Sequence, residues 1–243
     1  MDPIWHTATL IESQMLGDSM MSLRFSVPSW QPHIPGQHVD VRLTAPNGYQ
    51  AQRSYSIANA PEELRVVELG VQLLEEGEVS PYLFNLKPGQ AIELRGALGG
   101  HFIWNTTMPG PLITIAGGSG IVPFVSMIRH RHNHLSQEGT RPVVLLVSAR
   151  TIARCAYREE LAKLAGSDPH LRVVTTLTDA QPDGWTGYSR RIDRTILTDV
   201  CGSYKTEMPM IYVCGPTAFV ESVTTHLLDI GFNPHEIRTE RFG

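Results

Sequence analysis

The stretch LITIAGGSGIVPF, residues 112 to 124, decides how the second half of the chain is built. LITIA is short, apolar and β-branched, which suits a strand buried on both faces. GGSG follows at once and IVPF opens a helix. Glycines at a strand-to-helix turn let backbone approach a ligand's phosphates, and a helix N-terminus favours negative charge. The pattern is not GxGxxG, so the turn needs its context to carry weight.

That context repeats downstream. VVLLVS (143–148) leads to a helix near Tyr157 to Leu164. LRVVTTL (171–177) leads to one near Ile192 to Val200, and MIYVC (210–214) to one near Ala218 to Ile230. The first helix is expected near Phe124 to His134, and EIRTERF forms a last short strand. Apolar strands alternating with helices imply a parallel, doubly wound sheet of five strands, with ligands outside the strands' carboxyl ends.

Upstream the period changes. HTATLIESQML, SMMSLRFSV, GQHVDVRLTAP, QRSYSIANA, LRVVELGVQLL and AIELRG alternate, separated by PHIPG, APNGYQ, KPGQ and ALGG. About six short strands with such turns predict an antiparallel barrel or sandwich. Ser80 followed by Pro81 predicts a capped helical turn at Tyr82 to Leu86. The expected division is a barrel over 1–104, a linker over 105–111 and a nucleotide domain over 112–243.

The 243 residues are 42% hydrophobic and 18% charged with a net charge of −4, which gives no basic surplus for nucleic acid or anionic lipid. The apolar run 112–128 is too broken by glycine and proline to span a membrane, and MDPIWHTATL has no signal-peptide pattern, so a cytoplasmic protein is expected. Cys155, Cys201 and Cys214 are odd in number and far apart, against a disulfide framework, a zinc site or a four-thiolate cluster. His130 and His134 lie at i and i+4, but no acidic or cysteine ligand accompanies them in sequence. They read as a solvated helix end, and no metal ligands are assigned.

Three further stretches suit ligands. In RSYSIANAP (53–61), strand alternation puts Arg53 and Tyr55 on one face and Ser54 and Ser56 on the other. A charge, a ring and hydroxyls suit a flat anion. In EEGEVSPYLF (75–84), a glycine turn precedes a helix whose first amides point outward. In VCGPTAF (213–219), Cys214 ends a strand. It reads as a small soft group and not as a nucleophile, since no histidine is placed beside it by sequence.

RSYS, GEVSPYL, GGSGIVP, CGP and a terminal ERFG, in this order, resemble the ferredoxin–NADP reductase superfamily over nearly the whole chain. More closely they resemble the reductase components of bacterial oxygenases, without the iron–sulfur domain. The resemblance implies a six-stranded flavin barrel followed by a five-stranded parallel nucleotide domain. It implies FAD as cofactor, preferred over FMN because the GEVS turn can serve a pyrophosphate. Arg53 would pair with the flavin phosphate, Tyr55 would pack on the isoalloxazine, and Ser56 would hydrogen-bond near N5. Ser54 and Ile57 complete the contacting run. Gly77, Val79 and Ser80 would hold the pyrophosphate. Gly118, Ser119 and Gly120 would approach the nicotinamide dinucleotide, with Cys214, Gly215 and Pro216 beside its ring. Phe242 would shield the flavin's other face, and Glu240 resembles a carboxylate of some relatives that relays protons.

The implied reaction is hydride transfer from NADPH or NADH to the flavin, with electrons leaving singly to a separate redox protein. Arg150 matches a family position for a 2′-phosphate, with Arg190 and Arg191 as further cations. Asp179, in LTDA, would repel one. The cations outnumber the carboxylate, which favours NADPH. The alternatives are an NAD(P)H:flavin reductase that releases reduced flavin, and a non-catalytic electron-relay subunit.

Overall fold

The computed structural model describes residues 4–135 and 141–242; Gly243 of the terminal ERFG lies outside them. Two sheets make up the chain. The first has six antiparallel strands: β1 (Trp5–Met15), β2 (Met20–Ser26), β3 (His38–Thr44), β4 (Gln50–Ser56), β5 (Val66–Gln72) and β6 (Ala91–Leu98). Their spatial order is β4-β3-β6-β1-β2-β5. Alternate residues point inward, as a period of two requires. Leu23 and Phe25 of β2 and Val67, Leu69 and Val71 of β5 meet Val39, Val41, Ile92 and Leu94 in one core.

The sheet closes on itself at a single seam. Ile57, just beyond β4, bridges Leu69 of β5, and the Ala58 amide donates to the Glu68 carbonyl at 2.8 Å. Before Ile57 the outer edge of β4 has no strand partner among the described residues. Beside this seam stands α1 (Val79–Asn85). It starts earlier than the Ser-Pro pair predicts. Glu78 is the N-cap and makes no side-chain cap bond. Ser80 is therefore inside the helix, with its buried hydroxyl tied to Leu74, accepting from the amide at 3.0 Å and donating to the carbonyl at 3.3 Å.

The second sheet is parallel, in the order β11-β10-β7-β8-β9. Its strands are β7 (Leu112–Gly117), β8 (Val143–Ala149), β9 (Leu171–Leu177), β10 (Met210–Pro216) and β11 (Ile237–Phe242). On one face α2 (Val122–Asn133) and α3 (Arg158–Ser167) pack with Leu112, Ala116, Val143 and Leu145. On the other, α4 (Arg194–Cys201) and α5 (Thr217–Asp229) cover Ile113, Ile115, Val144 and Ile211. The chain winds outward from β7 to β9, then returns to β10 on the other side of β7. That reversal places the turns after β7 and β10 side by side, at the crevice where such sheets bind ligands.

The two domains are joined through a buried carboxylate. Glu68 of β5 is 2% exposed. It accepts from Ser22 Oγ at 2.9 Å, Arg24 Nη1 at 3.1 Å, Tyr157 OH at 3.2 Å and Arg129 Nη1 at 2.7 Å. Arg129 also forks onto Glu160 at 2.6 and 2.8 Å. Tyr157 reaches this centre from a left-handed backbone position, φ 58°, which caps α3. Ser126 of α2 adds a 2.7 Å bond to the Asn59 carbonyl.

The fold corrects one premise about the histidines. A carboxylate does accompany them: Glu62, from the loop between β4 and β5, lies 2.6 Å from Nδ1 of His130. Its separation of 68 residues hid it from local reading. Among the described residues no helix is long and apolar enough to cross a membrane.

Candidate functional site

Two cavities open along the junction. The first, about 790 Å³, lies between β4, α1 and the strand ends of the second sheet. Arg53, Ser54, Tyr55 and Ser56 line it, with Gly77, Val79 and Ser80 opposite and Cys214, Pro216, Glu240 and Phe242 at one end. The second, about 450 Å³, lies over the carboxyl ends of β7, β8 and β10. Gly118, Ser119, Arg150, Arg191 and Pro216 line it. Both volumes fall in the range of small-molecule sites. Gln72, Ser119, Pro216 and Phe242 line both, so the two cavities meet at these residues.

Strand pairing sets the first cavity. β4 runs against β3 with His38 opposite Ser56 and Asp40 opposite Ser54. Ser54 is held by Asp40 at 2.7 Å, and Asp40 also takes a 2.7 Å bond from Arg95. Burial alone would raise the Asp40 carboxyl, but the bonds from Arg95 and Ser54 hold it below the usual range. Tyr55 is half-buried, and burial pushes its phenol up to about 12, so it stays neutral. Arg53 is exposed. Its Nη1 donates to the Gln52 carbonyl at 2.7 Å, and its Nη2 lies 3.9 Å from Glu78, too long for a hydrogen bond. This cation retains donors for an anion.

The far wall comes from the parallel sheet. β10 and β11 pair so that Cys214 faces Glu240 and Pro216 faces Phe242. Burial and the neighbouring Glu240 push the Cys214 thiol well up, so it is no thiolate. Burial also raises the Glu240 carboxyl and lowers the His38 imidazole. Glu240 Oε2 is buried with no hydrogen-bond partner, an orphaned acceptor on the cavity wall. Phe242 is 38% exposed, an aromatic left open to the meeting point of both cavities.

The second cavity depends on close backbone packing. A Cβ on Gly120 would stand 2.2 Å from the Cys214 carbonyl oxygen and 2.9 Å from the Gly215 nitrogen. Only glycine lets the two turns touch. Gly118 has φ +57° and open space around it, which exposes backbone to the cavity. Arg150 and Arg191 face the same space, joined by Arg154 and Thr178.

Several residues of the sequence reading do not reach a cavity wall. Ile57 is fully buried in the barrel core, with its amide bonded to the Gln37 carbonyl at 3.1 Å. Gly120 and Gly215 are buried where the turns meet and act by allowing that contact. Arg190 is not on the wall; it pairs with Asp193 at 2.8 Å, and its guanidinium lies 5.9 Å from the Tyr188 ring centre. Asp179 is not on the wall, although its amide bonds the Arg150 carbonyl at 3.0 Å. Sequence reasoning missed His38, Glu78, Arg154 and Phe219. His38 and Glu78 were in reach, since they lie inside the quoted stretches GQHVDVRLTAP and GEVSPYL; Phe219 needed the helix register to place its ring against both glycine turns.

The donor set fits a flavin dinucleotide. A cation with unsatisfied donors, a neutral half-buried ring, an unpaired strand edge and an orphaned acceptor surround one cavity. Comparison with known proteins agrees. The family described as "Oxidoreductase FAD-binding domain" matches residues 7–103, and "Oxidoreductase NAD-binding domain" matches 114–225. The chain is 28% identical over 242 residues to the phenol hydroxylase P5 protein of Acinetobacter pittii, covering 98% of this chain and 65% of that protein. It is 32% identical over 205 residues to a subunit of the Na(+)-translocating NADH-quinone reductase of Methylococcus capsulatus, covering 79% of this chain and 49% of that one. The chain thus spans about half to two thirds of the length of these curated relatives. Among solved structures, the Amycolatopsis cytochrome P450 reductase GcoB superposes with a TM-score of 0.85 at 26% identity, over 99% of this chain and 70% of that one.

Proposed function

The chain belongs to the ferredoxin–NADP reductase-like oxidoreductases, with a FAD-binding and an NAD-binding domain, and from that premise we propose that it is a reductase drawing hydride from NADPH and passing electrons singly to a separate redox protein. The observation that carries the reading is the meeting of the two cavities at Gln72, Ser119, Pro216 and Phe242. A ligand in each would come together there, which is what transfer between two rings needs.

Bound flavin supplies hydride acceptance and stepwise electron release. The chain's own residues bind and orient. Arg53 pairs with the phosphate as a charge-assisted donor. Gly77, Val79 and Ser80 bring the start of α1 to the pyrophosphate. Tyr55 would pack on the ring, and Ser54 is held by Asp40. Ser56 would offer a hydroxyl at the ring edge. Phe242 would cover the other face and give way to the nicotinamide. Gly118 and Ser119 present backbone to the dinucleotide, while Cys214 and Pro216 bound the nicotinamide end. Cys214 stays a thiol and contributes shape. Glu240 and His38 are the titratable pair at this end, placed to hold or move a proton.

NADPH is preferred over NADH because Arg150, Arg154 and Arg191 line the second cavity while Asp179 does not. A separate protein as acceptor is supported by relatives whose names place them with a phenol hydroxylase and a cytochrome P450. The barrel over 1–104, linker over 105–111 and nucleotide domain over 112–243 are proposed as the working division. The test is the visible spectrum of the purified chain, followed by NADPH or NADH without oxygen. Flavin bands bleached much faster by NADPH support the reading. A protein that neither binds added FAD nor oxidises either nucleotide overturns it. Purified protein without colour that reduces added flavin at catalytic rate would favour release of reduced flavin instead.

A further inference from the structure

The histidines at the end of α2 do not serve either cavity, yet they are not a loose surface group. His130 and His134 stand one helical turn apart with ring centroids 4.6 Å apart. Glu62 comes to them from the barrel. One ring nitrogen of each histidine and a carboxylate oxygen of Glu62 lie within 4.8 Å of one another, the one such trio of metal-ligating side chains among the described residues. The side chain of His130 is 12% exposed and that of His134 26%.

Each member is held by a second contact. Asn133 Nδ2 donates to Glu62 Oε2 at 3.1 Å, leaving Oε1 directed at the histidines. Nδ1 of His134 donates to the His130 carbonyl at 2.8 Å and lies 3.8 Å from Glu62 Oε1, so this tautomer keeps its lone pair on Nε2 and ligation follows a turn of the ring. Such outer bonds are how metal-binding imidazoles are oriented. The ring of His130 is braced edge-on by Trp104, centroids 6.2 Å apart.

We infer that Glu62, His130 and His134 form a Zn²⁺ site that bridges the barrel and the nucleotide domain. Tetrahedral zinc with bonds of about 2.0–2.1 Å needs donors roughly 3.4 Å apart. The three ligand atoms all lie within 4.8 Å of one another, and the closest pair, Glu62 Oε1 and His130 Nδ1, is 2.6 Å apart, so the present spacings fall on either side of that value. Modest side-chain adjustment reaches it. The short contact is now a hydrogen bond; zinc takes the place of its proton, which passes to Nε2 of the neutral imidazole or, where the ring starts doubly protonated, leaves to solvent. Two nitrogens and one oxygen select zinc over calcium or magnesium, which prefer oxygen alone. Three protein ligands leave a fourth position for water. Because Glu62 belongs to the loop after β4, His130 to α2 and His134 to its C-cap, the ion would fasten α2 to the barrel at the end away from the glycine turn.

The test uses the full chain, stripped with a chelator and dialysed, with Zn²⁺ alone as the probe. Calorimetric titration should give one ion per chain, saturating in the micromolar range. At a hundredfold excess over Kd, Tm should rise by about 5–10 °C. H134Q sits at the helix end and should keep the metal-free Tm while losing the zinc-dependent rise. E62Q should weaken binding at least about tenfold. If the double variant H130Q/H134Q fails to fold, H134Q and E62Q still decide. No saturable binding overturns the site, and so does zinc affinity unchanged in H134Q and E62Q, which would assign the ion to other histidines.

Discussion

Nδ1 of His38 and Oε1 of Glu240 face each other across 3.8 Å, one on the barrel and one on the last strand of the parallel sheet. Burial moves their pKa values toward each other, His38 down and Glu240 up. Each therefore favours its neutral form in the fold. For Glu240 the folded state holds its proton more tightly, so its contribution is present below the usual carboxyl value and is lost as pH rises through the folded pKa. E240Q should be more stable than the parent near about pH 8 and equal to it near about pH 4. Thermal unfolding over that range checks this; a gap that does not change with pH would refute it.

His33 sets the acid limb. It is 4% exposed, bonded to the Asn59 carbonyl at 3.0 Å, and burial lowers it to about 4. A depressed histidine contributes stability above its unfolded value, lost as pH falls. Between about pH 6.5 and about pH 4 roughly 3 kcal/mol should go. H33Q should flatten that part of a urea-midpoint profile.

Arg53 and Glu78 are opposed in effect. R53A removes the charged donor, and loss of about 1.5–3 kcal/mol should weaken FAD roughly 10- to 100-fold. Glu78 lies 3.9 Å from the same guanidinium and 2.8 Å from Tyr49 OH. E78Q removes a competing anion and should tighten FAD. Fluorescence titration of the flavin-free protein reads both changes; unchanged affinity in R53A would remove the assigned role from Arg53, and weakening in E78Q would refute the competition.

Gly120 tests the contact between turns. G120A puts a Cβ 2.2 Å from the Cys214 carbonyl oxygen, against the backbone of the Cys214–Gly215 turn. Nucleotide-dependent turnover should be lost with a clear fall in Tm. G118A meets open space and bears only a left-handed backbone strain of about 1–2 kcal/mol. If the two variants behave alike, the packing of the turns is not what matters.

Coenzyme choice can be read from arginine removal. R150A and R191A should each cut kcat/KM for NADPH by about tenfold or more while leaving NADH within about twofold. Equal loss with both coenzymes would show that the arginines bind a part common to the two.

Much of this was written locally. The parallel sheet follows from runs such as VVLLVS, buried on both faces, and the barrel from alternation in SLRFSV and RVVELGV, because both periods are set by a few consecutive residues. What escaped depends on distance in sequence. Ser80 looks like a cap beside a proline, but its hydroxyl is taken by Leu74 and the helix starts at Val79. Ile57 sits in a ligand-like motif, yet the seam needs it inside the barrel. Glu62 comes to His130, and His38 to Glu240, only after the two domains have docked.

The unpaired edge of β4 also bears on the protein's handling without its cofactor. A strand edge with free amides and carbonyls is a template for another chain. Flavin lying along Arg53 to Ser56 would act as a cap on that edge. Stripped protein should therefore self-associate edge to edge as concentration rises, and β4 amides should exchange with deuterium far faster than those of β3. Adding FAD should reverse both, so solubility would report occupancy before any assay of turnover does.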